Sequence, residues 1–203
     1  MRARLFLKRM AQGLSLVVVF VPSLICGFGH FSILFACFTQ LFALVPGIPG
    51  VFWRAAFYKL TLEDCSIDSS IAFGTFFSRR RVIIAPFVSI GSYCVIGQVQ
   101  IGPRTQVSSH VEIPGAHQHL RDSQGRLSDS SSAAETYITI GADCWIGATA
   151  IIMANVGDQS TIGAGSVVVN DIPARVIAVG VPAKPIKSSI PSNVAPEDGS
   201  REV

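Results

Sequence analysis

From Ile84 onward an aliphatic residue keeps returning on a six-residue beat, most often with glycine directly after it: Ile90-Gly91, Ile96-Gly97, Ile101-Gly102, Ile140-Gly141, Ile146-Gly147 and Ile162-Gly163. A six-residue period matches neither the helical repeat nor a hairpin array. It suits a solenoid of short parallel strands with a turn at each corner. Side chains alternate along a strand, so the residue two before each aliphatic points inward with it. Those positions hold Val88, Cys94, Cys144, Ala150, Ser160 and Ser166, all small or compact. One large and one small side chain per face would fill a narrow interior. Glycine after the large one is expected where the backbone turns tightly or takes positive φ. An antiparallel sandwich also alternates, but nothing would hold it to a fixed register.

The first coils are expected from about Cys65 to Phe77, in weak register that becomes clear at Ile84. The beat slips to a step of five between Ile96 and Ile101 and vanishes between His117 and Tyr137. The segment QHLRDSQGRLSDSSSAAET is polar, rich in Ser, and cannot continue the core, so it is expected to leave the coil as a loop. Loops of that length within a compact domain are uncommon unless functional, although long surface insertions cost little. After Val169 the chain is expected to leave the repeat, because Pro173, Pro182 and Pro185 break regular pairing. A polar tail, 188–203, is expected to be disordered.

The amino-terminal quarter is different in kind. Between Leu14 and Val45 there is no Asp, Glu, Lys or Arg. One spanning helix needs about 20 apolar residues and two need about 40, so the run falls between them. Pro22, Gly27, Gly29 and His30 interrupt it, and Pro46, Gly47, Pro49 and Gly50 close it. Arg2, Arg4, Lys8 and Arg9 precede it while Arg54 and Lys59 follow, which puts both flanks on the cytoplasmic side. A re-entrant helical hairpin fits this pattern, and a hydrophobic oligomer interface without lipid is the alternative. The domain boundaries expected are 1–50 for a membrane-associated hairpin, 51–64 for an interfacial or capping helix, and 65–187 for the repeat domain.

Composition sharpens this picture in two places. The net charge of +3 arises mainly at the basic amino terminus, and no Lys/Arg stripe with interleaved aromatics exists to read nucleic acid. Five cysteines with no CxxC spacing read as free thiols of a reducing compartment, with Cys94 and Cys144 as core fillers.

The stretch ITIGADCWIGATAIIMANVGDQSTIGAGSVVVNDIPARVIAVGVPAKPI, Ile138 to Ile186, resembles the carboxy-terminal half of the hexapeptide-repeat acyltransferases of the maltose and galactoside O-acetyltransferase type. That resemblance implies a mainly β fold, the left-handed parallel β-helix, here with an amino-terminal helical membrane-associated segment. It also implies a homotrimer and acetyl-CoA as acyl donor. In similar proteins the GxGS and GxPA[KR] elements line the groove for the pantetheine arm. The matching residues are Gly163, Ala164, Gly165 and Ser166, and Gly180 to Lys184, with Lys184 and Arg175 as phosphate partners. Gly147 and Ala148 on the preceding coil would continue that groove. Trp145 offers a flat apolar surface to a sugar or to pantetheine, or simply fills an exposed face.

Transfer of an acyl group from a thioester to a hydroxyl needs a base about half deprotonated at neutral pH, for which histidine is suited. His30 lies in the apolar run, His110 is in repeat register within VSSHVEI, and His117 and His119 stand in IPGAHQHLRD where the loop begins. A residue at a loop departure is reachable by substrate. His117 also stands where the resembled family carries its catalytic histidine, with Gly115-Ala116 replacing the usual hydroxyl-bearing neighbour. His110 and His119 remain alternatives, and Glu112 or Asp122 could orient the ring. A backbone N–H near Gly141 or Trp145 of a neighbouring chain is the expected oxyanion donor.

The function so expected is O-acyl, foremost O-acetyl, transfer to a saccharide hydroxyl, the acceptor being a lipid-linked exopolysaccharide or O-antigen precursor at the cytoplasmic face of the plasma membrane. No metal is expected. A zinc hydratase of the same fold, with His110, His117 and His119 as ligands, would leave GVPAKP unexplained. A non-catalytic membrane scaffold is the remaining alternative.

Overall fold

The computed structural model describes residues 2–114 and 137–188. Short strands wind into a three-sided parallel β-helix. The first coil holds β1 (Asp64–Cys65), β2 (Ser70–Ile71) and β3 (Phe76–Phe77); the second, β4 (Val82–Ile84), β5 (Ser89–Ile90) and β6 (Val95–Ile96). The third holds β7 (Val99–Ile101), β8 (Gln106–Val107) and β9 (Glu112–Ile113), and the fourth β10 (Ile138–Ile140), β11 (Trp145–Ile146) and β12 (Ile151–Ile152). A bridge at Val156, β13 (Thr161–Ile162) and β14 (Val167–Val168) make the fifth. Stacking gives face A (β1-β4-β7-β10), face B (β2-β5-β8-β11-β13, then Val176–Val179 as β15) and face C (β3-β6-β9-β12-β14).

The interior follows the alternation. Ile84, Ile90, Ile96, Ile101, Ile140, Ile146 and Ile162 are buried, and so are the small partners Val88, Cys94, Cys144, Ala150, Ser160 and Ser166. Polar members of that second column are bonded to the corner backbone of the next coil. Thr75 Oγ1 donates to Gly91 O at 2.6 Å, Thr105 Oγ1 to Gly141 O at 2.7 Å and Ser160 Oγ to Pro173 O at 2.8 Å. Cys94 and Cys144 make the same bridge through sulfur, to Ser108 O and Gly157 O. Burial pushes both thiols above their ordinary pKa, so they sit in the core as inert fillers.

Two expectations change here. The repeat does not end at Val169: Ile172 bridges to Val156, and β15 (Val176–Val179) pairs in parallel with β13 as a sixth coil. Pro173 is tolerated because it is on the last coil. Its counterparts Gly141 and Gly157 donate their N–H to Val156 O and Ile172 O of the coil above, whereas among the described residues no coil lies above Pro173 to receive one. β16 (Lys184–Ser188) then folds back antiparallel on β15. The second change concerns the glycines after the aliphatics. Gly91, Gly102 and Gly147 do not take positive φ; that conformation falls two residues later, on Tyr93, Arg104, His110, Asp143 and Thr149.

Three helices close the amino-terminal end: α1 (Arg2–Ile25), α2 (Ser32–Ala43) and α3 (Gly47–Thr61). α3 starts four residues before the expected helix and lies on the first coil, burying Phe57 and Tyr58 completely. Tyr58 meets Phe77 edge-on at 4.4 Å, and burial of each such ring contributes about 2–3 kcal/mol. Arg54, also buried, donates Nε to Ile71 O at 2.8 Å and Nη1 to Phe42 O at 3.0 Å and Val45 O at 2.8 Å. One guanidinium thus satisfies carbonyls left open at the end of α2 and ties them to the first coil.

Candidate active site

The prism has three edges, and they differ. From face A to face B the interior residue always advances by six, as in Ile84 to Ile90 and Ile140 to Ile146; from B to C likewise, as in Ile90 to Ile96 and Ile146 to Ile152. Only the edge from C to A varies. There the steps run from Phe77 to Ile84, Ile96 to Ile101, Ile113 to Ile140, Ile152 to Val156 and Val168 to Ile172. The slip and the gap in the beat are two events on this one edge. The described chain stops on this edge at Pro114 and is described again from Tyr137, and β10 lies on β7 in register, Ile138 opposite Val99.

His117, His119 and Asp122 lie outside the described residues. The return end of their segment is fastened: Tyr137 donates its hydroxyl to the Glu63 carboxylate, and the Arg81 guanidinium sits 5.4 Å over the Tyr137 ring. Burial and the Glu63 bond push the Tyr137 hydroxyl pKa up.

A second group of expected residues gathers on the B to C edge. Gly147-Ala148 and Gly163-Ala164-Gly165 occupy successive corners there, with Gly165 N bonded to Ala148 O at 2.8 Å. Trp145 stands on face B beside them, 54% exposed. Lys184 is exposed at the same margin, opposite Val179. Ser166 is brought near but turned inward and buried, its Oγ accepting the Gly180 N–H at 3.1 Å. Arg175 is not brought here: it lies at the opposite end of β15, bonded to the Gln159 side chain at 3.1 Å.

His110 is on the glycine edge too, one coil below Thr149, whose N–H bonds Ser109 O at 3.1 Å. Its ring is exposed and stacked on Tyr93 at 5.3 Å. Glu112 projects from face C between Val95 and Ile151, also exposed. Two N–H groups in the region expected to hold the oxyanion are used by the ladder. Gly141 N–H is taken by Val156 O at 2.8 Å and Trp145 N–H by Ser160 O at 3.0 Å, so neither is free for a reacting oxygen.

Residues 137–169 match the family described as hexapeptide repeat of succinyl-transferase. The chain is 52% identical over 52 residues to galactoside O-acetyltransferase of Escherichia coli K12, covering 25% of this chain and 26% of that protein. It is 50% identical over 56 residues to 2,3,4,5-tetrahydropyridine-2,6-dicarboxylate N-acetyltransferase of Clostridium perfringens, covering 27% and 24%. Residues 137–169 thus carry the repeat of that family, and the relatives matched over this stretch are named acetyltransferases. The chain spans about a quarter of the length of those two relatives. Among solved structures it resembles a maltose O-acetyltransferase from Clostridium difficile 630, at 25% identity and TM-score 0.49 over 76% of this chain and 83% of that one. The three-sided prism of parallel strands fits the left-handed β-helix that the sequence leads one to expect.

Within this hexapeptide-repeat chain, one polar column escaped the sequence reading. Along the C to A edge above the loop, Asn155 Oδ1 accepts Thr139 N–H at 2.8 Å, and Asp171 Oδ1 accepts Asn155 N–H at 2.9 Å. With Gly157, Asp158 and Ala174 they line an open groove of about 480 Å³. The available signal was a polar residue just before the interior aliphatic on successive coils, Asn155-Val156 and Asp171-Ile172. Among the described residues no group of three His, Cys, Asp or Glu side chains converges as a metal site.

Proposed function

We propose that this protein is an acyl-CoA-dependent O-acyltransferase, foremost an O-acetyltransferase, that modifies a saccharide hydroxyl. The observation that carries this reading is the confinement of every irregularity to one edge, where a segment bearing His117 and His119 is inserted into a repeat whose relatives bear acetyltransferase names. His117, as neutral imidazole, takes the proton of the acceptor hydroxyl while that oxygen attacks the thioester carbonyl carbon. Collapse of the tetrahedral intermediate breaks the carbon–sulfur bond, and the imidazolium returns the proton to the leaving sulfur. No acyl-enzyme forms. The glycine edge takes the pantetheine arm, since side chains there are too small to block an extended chain, and Lys184 takes a phosphate of the nucleotide.

The loop edge and the glycine edge are the two margins of face C. They meet only when copies pack side by side, so the working form is a homotrimer with sites between subunits. Residues 1–50 hold this assembly at the cytoplasmic face of the plasma membrane, and the acceptor is a lipid-linked exopolysaccharide or O-antigen precursor.

His110→Ala and His117→Ala, assayed side by side with acetyl-CoA and lipid-linked glycan, test the assignment. Loss of a positioned general base lowers kcat about 10²- to 10⁴-fold, and His117→Ala is expected to do so with acetyl-CoA binding retained. His110→Ala has a specific claim, because His110 shares the glycine edge within one chain. If that variant alone abolished transfer, the base would be His110.

A further inference from the structure

α1 is built inside out. Its buried stripe is Gln12, Ser15, Val19 and Ser23, with Ser15 and Ser23 bonding carbonyls four residues back, while Phe6, Leu14, Val17, Val21 and Leu24 stand half or more exposed. A helix facing water would carry the reverse pattern. α2 adds Ile33 and Leu41 to the same apolar exposure.

The attachment of these helices sets their direction. Lys8 Nζ donates to Asp68 Oδ1 at 2.8 Å and Gln12 Nε2 to Ile67 O at 3.0 Å, both at the A to B corner of the first coil. The Lys8 ammonium holds the Asp68 carboxyl below the usual carboxylate range. Just beyond the far end of α1, Gly29 is pressed against Thr61 O and the Arg80 side chain at the C to A corner. The end of α2 is tied at the remaining corner, where Ala43 O accepts Gly74 N–H at 2.8 Å. Lys8 to Ile25 spans about 26 Å of helix, and the anchors near its start, at Lys8 and Gln12, and just past its end, at Gly29, all reach the first coil or its edge. α1 therefore lies across the end of the prism, perpendicular to its axis, and does not project from it.

Charge is polarised the same way. Residues 1–81 carry nine Lys or Arg against three Asp or Glu, while the rest of the chain carries seven against ten. Arg4 and Arg79 are exposed within that basic part.

The geometry points to a single-leaflet platform: α1 and α2 lie in the plane of an anionic lipid surface, embedded from one side, with the prism standing upright on them. This rests on the reading of residues 1–50 as membrane-associated and replaces a spanning or re-entrant path with an in-plane one. Basic side chains at the helix start and first-coil corners meet the headgroups, and apolar side chains enter the acyl layer. Coils rise about 5 Å each, so Pro114 on the third coil and Tyr137 on the fourth lie about 10–15 Å above the first. That height suits an acceptor held by a lipid in the same leaflet.

The test uses the full chain with vesicles of phosphatidylcholine, with and without phosphatidylglycerol. Flotation with the mixed vesicles is expected, weakening at least tenfold in Val17→Asp/Val21→Asp and unchanged in Phe87→Asn, an exposed aromatic on the second coil. In a Cys37→Ser background, fluorophores on Leu7→Cys, Val17→Cys and Leu24→Cys should be quenched at one shallow depth. A gradient that carries Leu7 and Leu24 to opposite faces would establish a spanning helix and overturn the proposal. So would absence of flotation, or self-association dissolved by Val17→Asp/Val21→Asp, which would assign the surface to a second copy. Neither readout needs turnover: docking can fail with transfer intact, and transfer can fail with docking intact.

Discussion

Gly147 and Thr149, two residues apart on one corner, divide the demands of a tight coil between them. A Cβ on Gly147 would lie 2.4 Å from Ala164 N on the coil above, and one on Gly102 would lie 2.6 Å from Ala142 N. These glycines are held by the closeness of stacked backbone. The left-handed conformation is carried instead by Tyr93, His110 and Thr149, with φ of 58° to 60°, at roughly 1 kcal/mol each. Gly147→Ala must therefore separate two coils along their hydrogen-bond direction and is expected to destabilise the fold by more than about 2 kcal/mol, read from chemical denaturation. Thr149→Gly should be neutral or slightly stabilising. An unchanged midpoint for Gly147→Ala would remove the close-approach account. The interior columns were legible because period-two alternation leaves a direct trace in residue size. Left-handed φ on ordinary side chains leaves no such trace, and the spent N–H groups of Gly141 and Trp145 are properties of stacking that one coil's sequence does not contain.

Coils one to six obey one rule at two corners and relax it at the third. Where the C to A edge is plain, Gly97 and Gln98 suffice to join β6 to β7, and Met153 to Asn155 to join β12 to the bridge at Val156. The segment 115–136 is thus an addition to an edge that can close without it. Replacing 115–136 by a Gly-Asn dipeptide is expected to leave the parallel register of β10 on β7 and the thermal midpoint within a few degrees of the parent, with acetyl transfer lost. Unfolding of that variant would show that the segment is part of the core. The element boundary that sequence missed, the sixth coil, was hidden by Pro173, because proline argues against a strand unless no further coil needs its N–H. α3 was legible only as a helix of mixed aromatic and basic residues. Its role as a lid on the first coil depends on Arg54 reaching carbonyls at the end of α2 and on β2 together, which no local pattern announces.

For the whole molecule, the outward side of face C is the decisive surface. Phe76, Val95, Ile151 and Val167 project from it, with Glu112 at its middle, whereas face A presents Ile83 among Asp64, Gln100 and Thr139, and face B presents Trp145 among Ser70, Ser89, Gln106 and Thr161. An apolar column on one side of a rigid prism calls for a partner, and closed symmetry among parallel prisms supplies one without leaving an open end. In the proposed trimer, parallel packing would keep three amino-terminal platforms on the same side, so that weak docking of each would be reinforced by the others. Light scattering in detergent should give a protein mass of three times 21.6 kDa. Ile151→Arg buries a charge in that contact and is expected to yield monomers that keep their β circular dichroism yet lose transfer by at least a hundredfold, since each site would lack the neighbour's edge. An active monomer would mean instead that one chain completes the site on its own glycine edge, and would turn attention to His110 on its Tyr93 stack.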